Sequence, residues 1–399
     1  MIRHSHVYKT QPKKQITCMS STHWHFLWQR PQQIMSRLSQ EYNILFVDPP
    51  YPVAESEIPR EKDGSFDIST CLNSVSASLK VISSYQIAEG GSDSHDNEIR
   101  AKNVKLLKEQ IQQALHKIKW NASSLLWIYN PQAVSMVGAL DEAGVIYDCV
   151  DSFSSFSWAD PRTRKWEEEL INKADVILTS ARKLYNGWQD CGKPLYLVPN
   201  AADYEHFCKC GNTNSTAEPV DLKRIKHPRL GFIGAVYEWV DFELIKQLAT
   251  CHPYWSMVMI GPKQHGLEIP DSHSNLHWLG PRDYKSLPWY LNHLDVMLIP
   301  FLLNETTEHA NPIKLWEYLA AGKPVVTTFL PEIPRIAGVT WVSENSQQFC
   351  ENCINALYAV RNSLKRGELT ARARMIARSN SWEERCRQIV SILNEHFEE

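Results

Sequence analysis

The chain has 399 residues, of which 42 are basic and 45 acidic, so its formal net charge at pH 7 is −3. At about 150 residues per domain, this length predicts two or three domains, each able to bury its own core. A mean hydropathy of −0.36 excludes a multi-span membrane protein. The balanced charge also removes the usual electrostatic case for a nucleic acid partner.

Residues 1–14 contain no apolar stretch, so we expect no secretory signal and a cytoplasmic protein. The ten cysteines are scattered along the chain, which is typical of reduced thiols. Cys208 and Cys210, and Cys350 and Cys353, are spaced like zinc ligands, but the two pairs lie far apart in the sequence and neither has a matching pair nearby. We therefore predict no bound metal and no cofactor.

Short apolar runs alternate with helical periods along the whole chain. This alternation predicts the α/β class, with parallel sheets and crossover helices. In the first half, strands are predicted at 15–19, 43–47, 124–129, 145–149, 176–179 and 195–198. In the second half, they are predicted at 229–234, 256–260, 276–279, 296–299, 324–327 and 340–342. Two such series predict two Rossmann-like doubly wound domains facing across a cleft, with ligands at the carboxyl ends of the strands.

The predicted domain organisation follows from shifts in composition. The segments are an N-terminal Rossmann-like domain over 1–207, a polar linker over 208–228, a C-terminal Rossmann-like domain over 229–378, and a helix over 379–399 that packs back toward the N-terminal domain. Residues 51–96 are rich in Ser, Gly and Asp, which predicts a long loop with little regular structure.

Residues 98–119 combine an apolar stripe with many basic residues, as in an amphipathic helix. Its basic face could rest on an anionic membrane, as a peripheral membrane protein does. Alternatively, the apolar stripe packs on a sheet and leaves the lysines in water. The sequence leaves both readings open.

The most informative stretch begins at Asn311 and reads N-P-I-K-L-W-E-Y-L-A-A-G-K-P-V-V-T. Asn311 is predicted to cap a helix whose first residue is Pro312, and Gly322 is predicted to end it before the next strand. The free N–H groups of the first turn, together with the helix dipole, would then form a site for a diphosphate.

Two charged residues lie on one face of this predicted helix. Lys314 would meet a phosphate, and Glu317 would accept hydrogen bonds from two ribose hydroxyls. A surface helix with a solvated lysine and glutamate is the alternative, but the surrounding apolar pattern favours a nucleotide site. The residues predicted to bind the nucleotide-sugar are Gly234, Asn311, Ile313, Lys314, Leu315 and Glu317.

Further candidates follow strands of the first half. Asp151 could deprotonate an acceptor hydroxyl, although aspartates at strand ends also cap turns, and Asp148 is a weaker candidate of the same kind. His23 and His25 could orient hydroxyls or carry a proton. Arg30 could bind an anionic group, with a packed aromatic corner and a helix-start arginine as the alternatives for this segment.

The element E-Y-L-A-A-G-K-P-V-V at 317–326 resembles that of the GT-B glycosyltransferases of the retaining, group 1 type. Segments 174–180 and 198–207 are similar to the end of the first domain in that family, and 23–33, 46–50 and 234–241 are similar to teichuronic acid biosynthesis glycosyltransferases. The resemblance covers most of the chain. It implies a metal-independent transfer, of hexosyl or glucuronosyl type, from a UDP-sugar to a cell-envelope polysaccharide or a lipid-linked acceptor, at the inner face of the membrane.

The chain departs from the family pattern at the donor sugar. The family has two glutamates eight positions apart, and Glu317 matches the second, but position 309 is a histidine. His309 is therefore kept as a candidate catalytic residue. Glu305 and Glu308 lie in a neighbouring segment from which either could reach the sugar.

A second departure concerns the diphosphate. The family tends to carry an arginine and a lysine after the first strand of the second domain, whereas this chain reads Gly234-Ala-Val-Tyr-Glu-Trp-Val. Lys314 is predicted to supply part of that charge. Arg282 and Lys263 are possible further phosphate contacts, and Arg30 is a possible phosphate or acceptor contact.

Two other functions share this architecture. Fold alone does not determine the reaction, so a nucleotide-sugar 2-epimerase is one alternative. Such an enzyme would change the free UDP-sugar without an acceptor. A non-catalytic nucleotide-sugar-binding subunit would bind UDP and transfer nothing. Stereochemistry is also open, since retention needs little from a protein base, whereas inversion would use one such as Asp151.

Overall fold

The computed structural model describes residues 13–89, 93–120, 124–209, 218–267 and 273–398, without the side chains of 93–95. Its strands are β1 (Gln15–Met19), β2 (Asn43–Val47), β3 (Tyr51–Val53), β4 (Leu72–Ser74), β5 (Leu79–Ile82), β6 (Tyr85–Ile87), β7 (Ser124–Ile128), β8 (Gly144–Cys149), β9 (Val176–Thr179), β10 (Leu195–Leu197), β11 (Arg229–Ile233), β12 (Ser256–Ile260), β13 (Leu276–Gly280), β14 (Val296–Ile299), β15 (Val325–Thr328) and β16 (Thr340–Ser343). Its α-helices are α1 (Arg30–Leu38), α2 (Asp93–Ile118), α3 (Thr163–Lys173), α4 (Arg182–Trp188), α5 (Tyr204–Phe207), α6 (Phe242–Cys251), α7 (Leu287–Asn292), α8 (Glu305–Glu308), α9 (Ile313–Ala320), α10 (Ser346–Arg361), α11 (Ser363–Ser379) and α12 (Trp382–Phe397).

The chain divides into two compact units. The first comprises Met1–Asp148, Pro161–Ile177 and His396–Glu399, and the second comprises Cys149–Asp160 and Leu178–Glu395. The predicted linker at 208–228 is described only in part, because residues 210–217 lie outside the described residues. The same gap contains Cys210 of the first cysteine pair.

The first sheet has the strand order β10-β9-β8-β7-β1-β2-β5-β4. Strand β1 lies between β2 and β7 and runs parallel to both, with Gln15 opposite Asn43 and Ser124. All five residues of β1 are buried, as expected for a central parallel strand that is covered on both faces. The chain passes from β1 to β2 on one side while β7 lies on the other, and the carboxyl ends of such strands form a crevice.

The prediction of a long loop over 51–96 is wrong for the part that the structure describes. Strand β5 pairs in parallel with β2 in the main sheet, β4 pairs antiparallel with β5, and β3 pairs with β6 in a separate two-stranded sheet. Strand β5 has only four residues, one of which is Lys80, and serines flank it, so its sequence lacks the continuous apolar run that indicates a buried strand. Residues 90–92 of this segment lie outside the described residues.

The second sheet has the order β13-β12-β11-β14-β15-β16, and its paired strands are parallel. Helix α9 lies between β14 and β15 in the chain and buries Leu315, Leu319 and Ala320 in the core of this unit. The twelve strands predicted from the sequence are all present, with ends shifted by at most one residue. The predicted α/β class is confirmed.

The amphipathic segment predicted at 98–119 lies in α2. Its residues Ile99, Leu106 and Ile111 are buried, which is what the packing alternative requires of the apolar stripe. In the described parts of the chain, we find no helix with both the length and the apolar character needed to cross a membrane.

Candidate functional site

Strand β11 ends in a close approach of backbone and side chain. Gly234, the next residue, has φ +154, and a Cβ added to it would lie 1.7 Å from Cε of Lys314. Gly261, which follows β12, has φ +148, and a Cβ there would lie 1.9 Å from the carbonyl oxygen of Gly234. Only glycine fits at either position. The Lys314 side chain therefore lies directly over the bare backbone at the carboxyl end of β11.

A side chain from α9 fixes the last residue of β11. The Tyr318 hydroxyl accepts a hydrogen bond from the Ile233 N–H at 2.9 Å and donates one to the Ile233 carbonyl at 3.1 Å. Tyr318 is 1% exposed, and burial raises the pKa of its hydroxyl. The helix and the strand end are thus joined one residue before Gly234. This role of Tyr318 cannot be predicted from the sequence, because a buried tyrosine in a helix usually belongs to the core.

The start of α9 differs by one residue from the prediction. The helix begins at Ile313 with Pro312 at the N-cap, so the prediction that Asn311 caps it is wrong. The Asn311 amide instead donates to Glu332 at 3.2 Å and accepts from Trp316 at 3.4 Å. The proline holds the chain in an extended conformation at the cap, and the asparagine side chain is occupied elsewhere.

The first turn of α9 nevertheless presents free backbone donors. No described residue accepts a hydrogen bond from the N–H of Ile313 or Lys314, while the Leu315 N–H bonds to the Pro312 carbonyl at 3.2 Å. The predicted stop at Gly322 is confirmed, with φ +75 and a hydrogen bond from its N–H to the Leu319 carbonyl at 2.9 Å. This helix start therefore presents free N–H groups and partial positive charge.

Glu317 is a buried carboxylate without a contact partner. Its residue is 9% exposed, and no described residue forms a hydrogen bond or ion pair with its side chain. Burial raises the pKa of Glu317 to about 7; Lys314 opposes this rise and Asp203 adds to it. Buried charged groups normally have direct partners. The structure thus leaves this carboxylate with unused hydrogen-bonding capacity.

Lys314 is the matching cation. Burial lowers the pKa of its ammonium, and Glu317 opposes this shift. The ammonium forms no ion pair with any described residue; its nearest ring contact is Phe232, with Nζ 5.8 Å from the ring centroid. A cation and a carboxylate that perturb each other without direct contact are typical of a ligand site.

Of the two further candidates for phosphate contacts, one forms an ion pair within the protein and the other is exposed. Arg282 bonds to Asp221 through Nε at 3.2 Å and Nη2 at 2.5 Å, and to the Tyr290 hydroxyl at 2.8 Å. Arg282, a possible phosphate contact, thus has its guanidinium bound to an acid within the same unit. Lys263 is exposed, and its backbone bridges to that of Val236, two residues after Gly234.

The segment around His309 is held by both side-chain and backbone contacts. The His309 Nδ1 lies 2.6 Å from the Glu305 carbonyl oxygen, and Glu308 forms an ion pair with Lys183. Glu308 is thus already paired, whereas Glu305 is exposed at the start of α8. His309 is half-buried, and its Nε2 has no hydrogen-bond partner among the described residues.

The loop that carries Asp151 is fixed against other loops of the second unit. Ser155 Oγ lies 3.0 Å from Thr306 Oγ1, and the Ser157 hydroxyl donates to Glu238 at 2.8 Å. Rings from this loop and from the loop after β11 form an aromatic cluster, which consists of Phe153, Phe156, Trp158, Tyr237 and Trp239. Asp151 itself is half-buried.

Two sequence candidates of the first unit are bound to each other. Arg30 and Asp148 are 2% and 0% exposed, and Arg30 Nε lies 3.0 Å from both carboxylate oxygens of Asp148. The prediction of Arg30 as a contact for an anionic ligand is corrected, because its charge is neutralised inside the protein. Burial raises the pKa of Asp148 and the Arg30 guanidinium opposes this shift.

A second carboxylate ends strand β2. Asp48 is 3% exposed and accepts a hydrogen bond from the Trp24 N–H at 2.7 Å, and His23 Nδ1 lies 3.9 Å from its Oδ2. Burial raises the pKa of Asp48; the Trp24 N–H, His23 and His25 oppose this rise. Sequence reasoning missed Asp48, although its position at the end of an apolar strand, before two prolines, was a usable signal.

A cavity of about 280 Å³ opens at this end of the first sheet. It is lined by Ser20, Asp48 and Asn130, which follow β1, β2 and β7, and by Leu107 of α2 and Trp166 of α3. Such a crevice is where open α/β sheets bind ligands. Its mixture of aromatic, aliphatic and polar groups suits a molecule with both apolar faces and hydroxyls.

Asp241 is the N-cap of α6, and its side chain accepts a hydrogen bond from the Leu244 N–H at 2.9 Å. Within the described ranges, no group of three or more His, Cys, Asp or Glu side chains is arranged to hold a metal ion.

Residues 227–358 match the protein family described as Glycosyl transferases group 1. The chain is 30% identical over 222 residues to the Bacillus subtilis (strain 168) protein TuaH, described as a teichuronic acid biosynthesis glycosyltransferase. That alignment covers 48% of this chain and 52% of TuaH, so the chain spans about half the length of this curated relative.

Solved structures show the same fold at low sequence identity. A UDP-forming α,α-trehalose-phosphate synthase from Burkholderia xenovorans has a TM-score of 0.66 at 11% identity, covering 96% of this chain and 99% of that one. Anabaena Alr3699/HepE, solved in complex with UDP and glucose, has a TM-score of 0.60 at 14% identity, with the same two coverages.

The fold is therefore GT-B, with two Rossmann-like domains, and the resemblance to the group 1 glycosyltransferases is confirmed. Residues 227–358, which match the group 1 glycosyltransferase model, include Gly234, Lys314 and Glu317.

Proposed function

We propose that this protein is a glycosyltransferase that moves a sugar from a UDP-sugar to a cell-envelope polysaccharide or to its lipid-linked precursor. The observation that carries the proposal is a pair of charged side chains without partners among the described residues, the half-buried Lys314 and the buried Glu317, beside the bare backbone of Gly234. UDP is supported by the complex of Alr3699/HepE with UDP and glucose, and a cell-envelope acceptor by the description of TuaH.

In this proposal, the second unit binds the donor. The free N–H groups of Ile313 and Lys314 and the Lys314 ammonium contact the diphosphate, while the Glu317 carboxylate accepts hydrogen bonds from two ribose hydroxyls. As the bond to the sugar breaks, negative charge grows on the diphosphate. Hydrogen-bond donors that already point at the diphosphate stabilise this charge without moving, which lowers the activation free energy of sugar transfer.

The first unit binds the acceptor in the cavity at the ends of β1, β2 and β7. Trp166 offers an apolar ring face to a sugar, and Asn130 and Asp48 offer polar groups to its hydroxyls. Asp151 is proposed as the base that takes the proton of the acceptor hydroxyl, with His23 and His309 as further candidates for contacts with the substrates. A UDP-sugar donor also favours a cytoplasmic location, where such donors are made.

The pH dependence of donor binding tests Glu317. Below about pH 7 its carboxyl is largely protonated in the free protein, and ribose hydroxyls donate to the ionised form. The affinity for a UDP-sugar should therefore rise by about tenfold between pH 6 and pH 8 and level off above that range. Calorimetry with the tightest-binding UDP-sugar measures this, because the diphosphate of a UDP-sugar does not titrate in this range.

Glu317→Gln is the matched variant for this measurement. It should bind the donor about 1 to 3 kcal/mol more weakly at pH 8 and show no rise between pH 6 and pH 8. A variant that keeps the wild-type slope would assign the pH dependence to another group. Unchanged affinity at pH 8 would remove Glu317 from the ribose site.

Asp151→Asn tests the proposed base. The amide has the same shape but cannot take a proton, so kcat should fall by about 10²- to 10⁴-fold, while donor affinity stays the same. NMR analysis of the anomeric configuration of the product belongs to the same experiment, because a base of this kind is required for inversion. Near-normal transfer with a retained configuration would exclude Asp151 as a general base.

The function as a whole is tested by a donor screen. Thermal shift with UDP-, GDP- and TDP-sugars identifies the donor, and incubation with and without cell-envelope glycans and their lipid-linked precursors identifies the reaction. We expect stabilisation by UDP-sugars and a product only when an acceptor is present. Conversion of the free UDP-sugar to its epimer would show an epimerase, and binding without any product would show a non-catalytic subunit.

A further inference from the structure

Helices α10 and α11 expose large apolar side chains to solvent. The exposed fractions are 47% for Ile354, 63% for Tyr358, 78% for Leu364 and 65% for Met375. None of these side chains contributes to the buried core of the second unit. We call the exposed side of α10 and α11 between residues 354 and 378 the α10–α11 surface.

The apolar residues of α11 lie at the centre of its exposed side. Leu364 and Met375 are eleven residues apart, which is about three turns, so they share one face and are separated by roughly 16 Å along the axis. The opposite face is buried through Leu369, Ala373 and Ala377. In a helix that only covers a core, the centre of the outward face is polar. Here Leu364 and Met375 share the centre with the exposed Glu368, and two large apolar side chains at this place indicate a second partner.

Basic side chains flank this apolar centre. Arg361, Lys365, Arg372 and Arg378 are all exposed, and Glu368 is the one acidic residue of α11. No described residue forms an ion pair with Arg361 or Arg378, and Lys365 Nζ lies 4.8 Å from the centroid of the Tyr358 ring. The chain as a whole has a net charge of −3, so positive charge is concentrated here.

A groove beside α11 extends the positive region. It has a volume of about 920 Å³ and is lined by Arg361, Arg366 and Arg374, with Asp295 as the one acidic residue among its lining side chains. Arg366 is exposed, and its guanidinium has no hydrogen-bond or ion-pair partner among the described residues. The groove therefore adds unpaired positive charge beside Arg361, which also belongs to the α10–α11 surface.

Helix α2, which also carries several lysines, differs from α11 in the pairing of its charges and in its exposed apolar residues. Lys102 pairs with Glu98 at 3.2 Å and Arg100 with Glu89 at 2.8 Å, so part of its charge is neutralised. Its buried apolar residues pack inside the first unit, and its largest exposed apolar side chain is Val104, at 36%. The basic face of α2 thus lacks the apolar centre of α11.

We propose that the α10–α11 surface docks on an anionic lipid bilayer. Leu364 and Met375 would enter the interfacial region, while the surrounding arginines and lysine contact lipid phosphates. Charge complementarity selects an anionic membrane, and the exposed apolar centre favours a bilayer over a nucleic acid, whose backbone offers no apolar surface. The proposal does not rest on the transfer reaction, and its test requires no turnover.

Co-sedimentation of the full chain with vesicles tests the proposal. The wild type should bind vesicles of phosphatidylcholine with 30% phosphatidylglycerol, bind pure phosphatidylcholine vesicles at least tenfold more weakly, and lose affinity at 0.5 M salt. Arg361→Glu combined with Lys365→Glu should reduce binding to the anionic vesicles by at least tenfold. Leu364→Ala combined with Met375→Ala should reduce it several-fold with little change in the salt dependence.

The control reverses two charges on α2, Lys105→Glu with Lys117→Glu, and should leave vesicle binding unchanged. Unchanged UDP affinity and thermal melting show that each variant remains folded. The proposal is overturned if the wild type does not bind anionic vesicles, or if the α2 control loses as much binding as the α11 variant. It is also overturned if Leu364→Ala instead abolishes a dimer seen by sedimentation velocity, or if duplex DNA competes fully with the vesicles.

Discussion

Replacing Lys314 with alanine should reduce kcat/KM for sugar transfer by about 10²- to 10³-fold, the range for the loss of one fixed donor to a developing negative charge. The ammonium lies over Gly234 and has no ion-pair partner among the described residues, so its charge is available to a ligand. Because burial disfavours the charged form of Lys314, its removal should not lower the melting temperature by more than a few degrees. Steady-state kinetics and thermal melting measure the two effects separately.

Lys285→Ala is the matched control, because Lys285 is exposed in the same unit and has no ion-pair partner among the described residues. It should transfer sugar at the wild-type rate. Wild-type kinetics for Lys314→Ala would place the diphosphate elsewhere, with the exposed Lys263 as the next cation to test. A loss of activity that follows a loss of folded protein would show a structural role for Lys314 instead.

Gly234→Ala should abolish donor binding and also destabilise the protein. The added methyl group would lie 1.7 Å from Cε and 2.4 Å from Nζ of Lys314, so the ammonium must leave its position, and φ +154 is strained for any residue with a Cβ. We expect no detectable UDP binding by calorimetry and a loss of roughly 1 to 3 kcal/mol in the free energy of unfolding.

The double variant Gly234→Ala with Lys314→Ala separates the two causes of lost stability, which are the clash with the Lys314 side chain and the strained backbone at residue 234. Removing the lysine stem removes the side-chain clash, so part of the lost stability should return while donor binding does not. Gly187→Ala is the control, since nothing lies within 4 Å of its added Cβ in α4, and alanine should stabilise this helix by roughly 0.5 to 1 kcal/mol. If Gly234→Ala binds UDP normally, the close approach of Gly234 and Lys314 does not shape the donor site.

The strands of the two main sheets could be predicted from the sequence because a buried parallel strand is a continuous apolar run with clear polar boundaries. Strand β5 could not be predicted in this way because it has only four residues, includes a lysine and lies among serines. The start of α9 was misplaced by one residue because Asn311 and Pro312 are both typical of helix starts. Local sequence does not distinguish which of them takes the cap.

Contacts in the candidate site could be predicted where the residues are close in the sequence. They could not be predicted where an ion pair joins residues that are far apart in the sequence. Lys314 and Glu317 are three residues apart, so helical geometry alone places them together. The partner of Arg30 is Asp148, 118 residues away, and the partner of Arg282 is Asp221, 61 residues away. Only the folded chain shows that these two arginines are neutralised internally while Lys314 is not.

The hydroxyl of Tyr318 links helix α9 to the end of strand β11 in the proposed donor site. Because a phenol, and not another strand, satisfies both peptide groups of Ile233, the edge of the sheet at this point is held by the same helix that carries Lys314 and Glu317. In the proposed donor site, the charges that contact the nucleotide and the strand end beside them are therefore tied to the same helix.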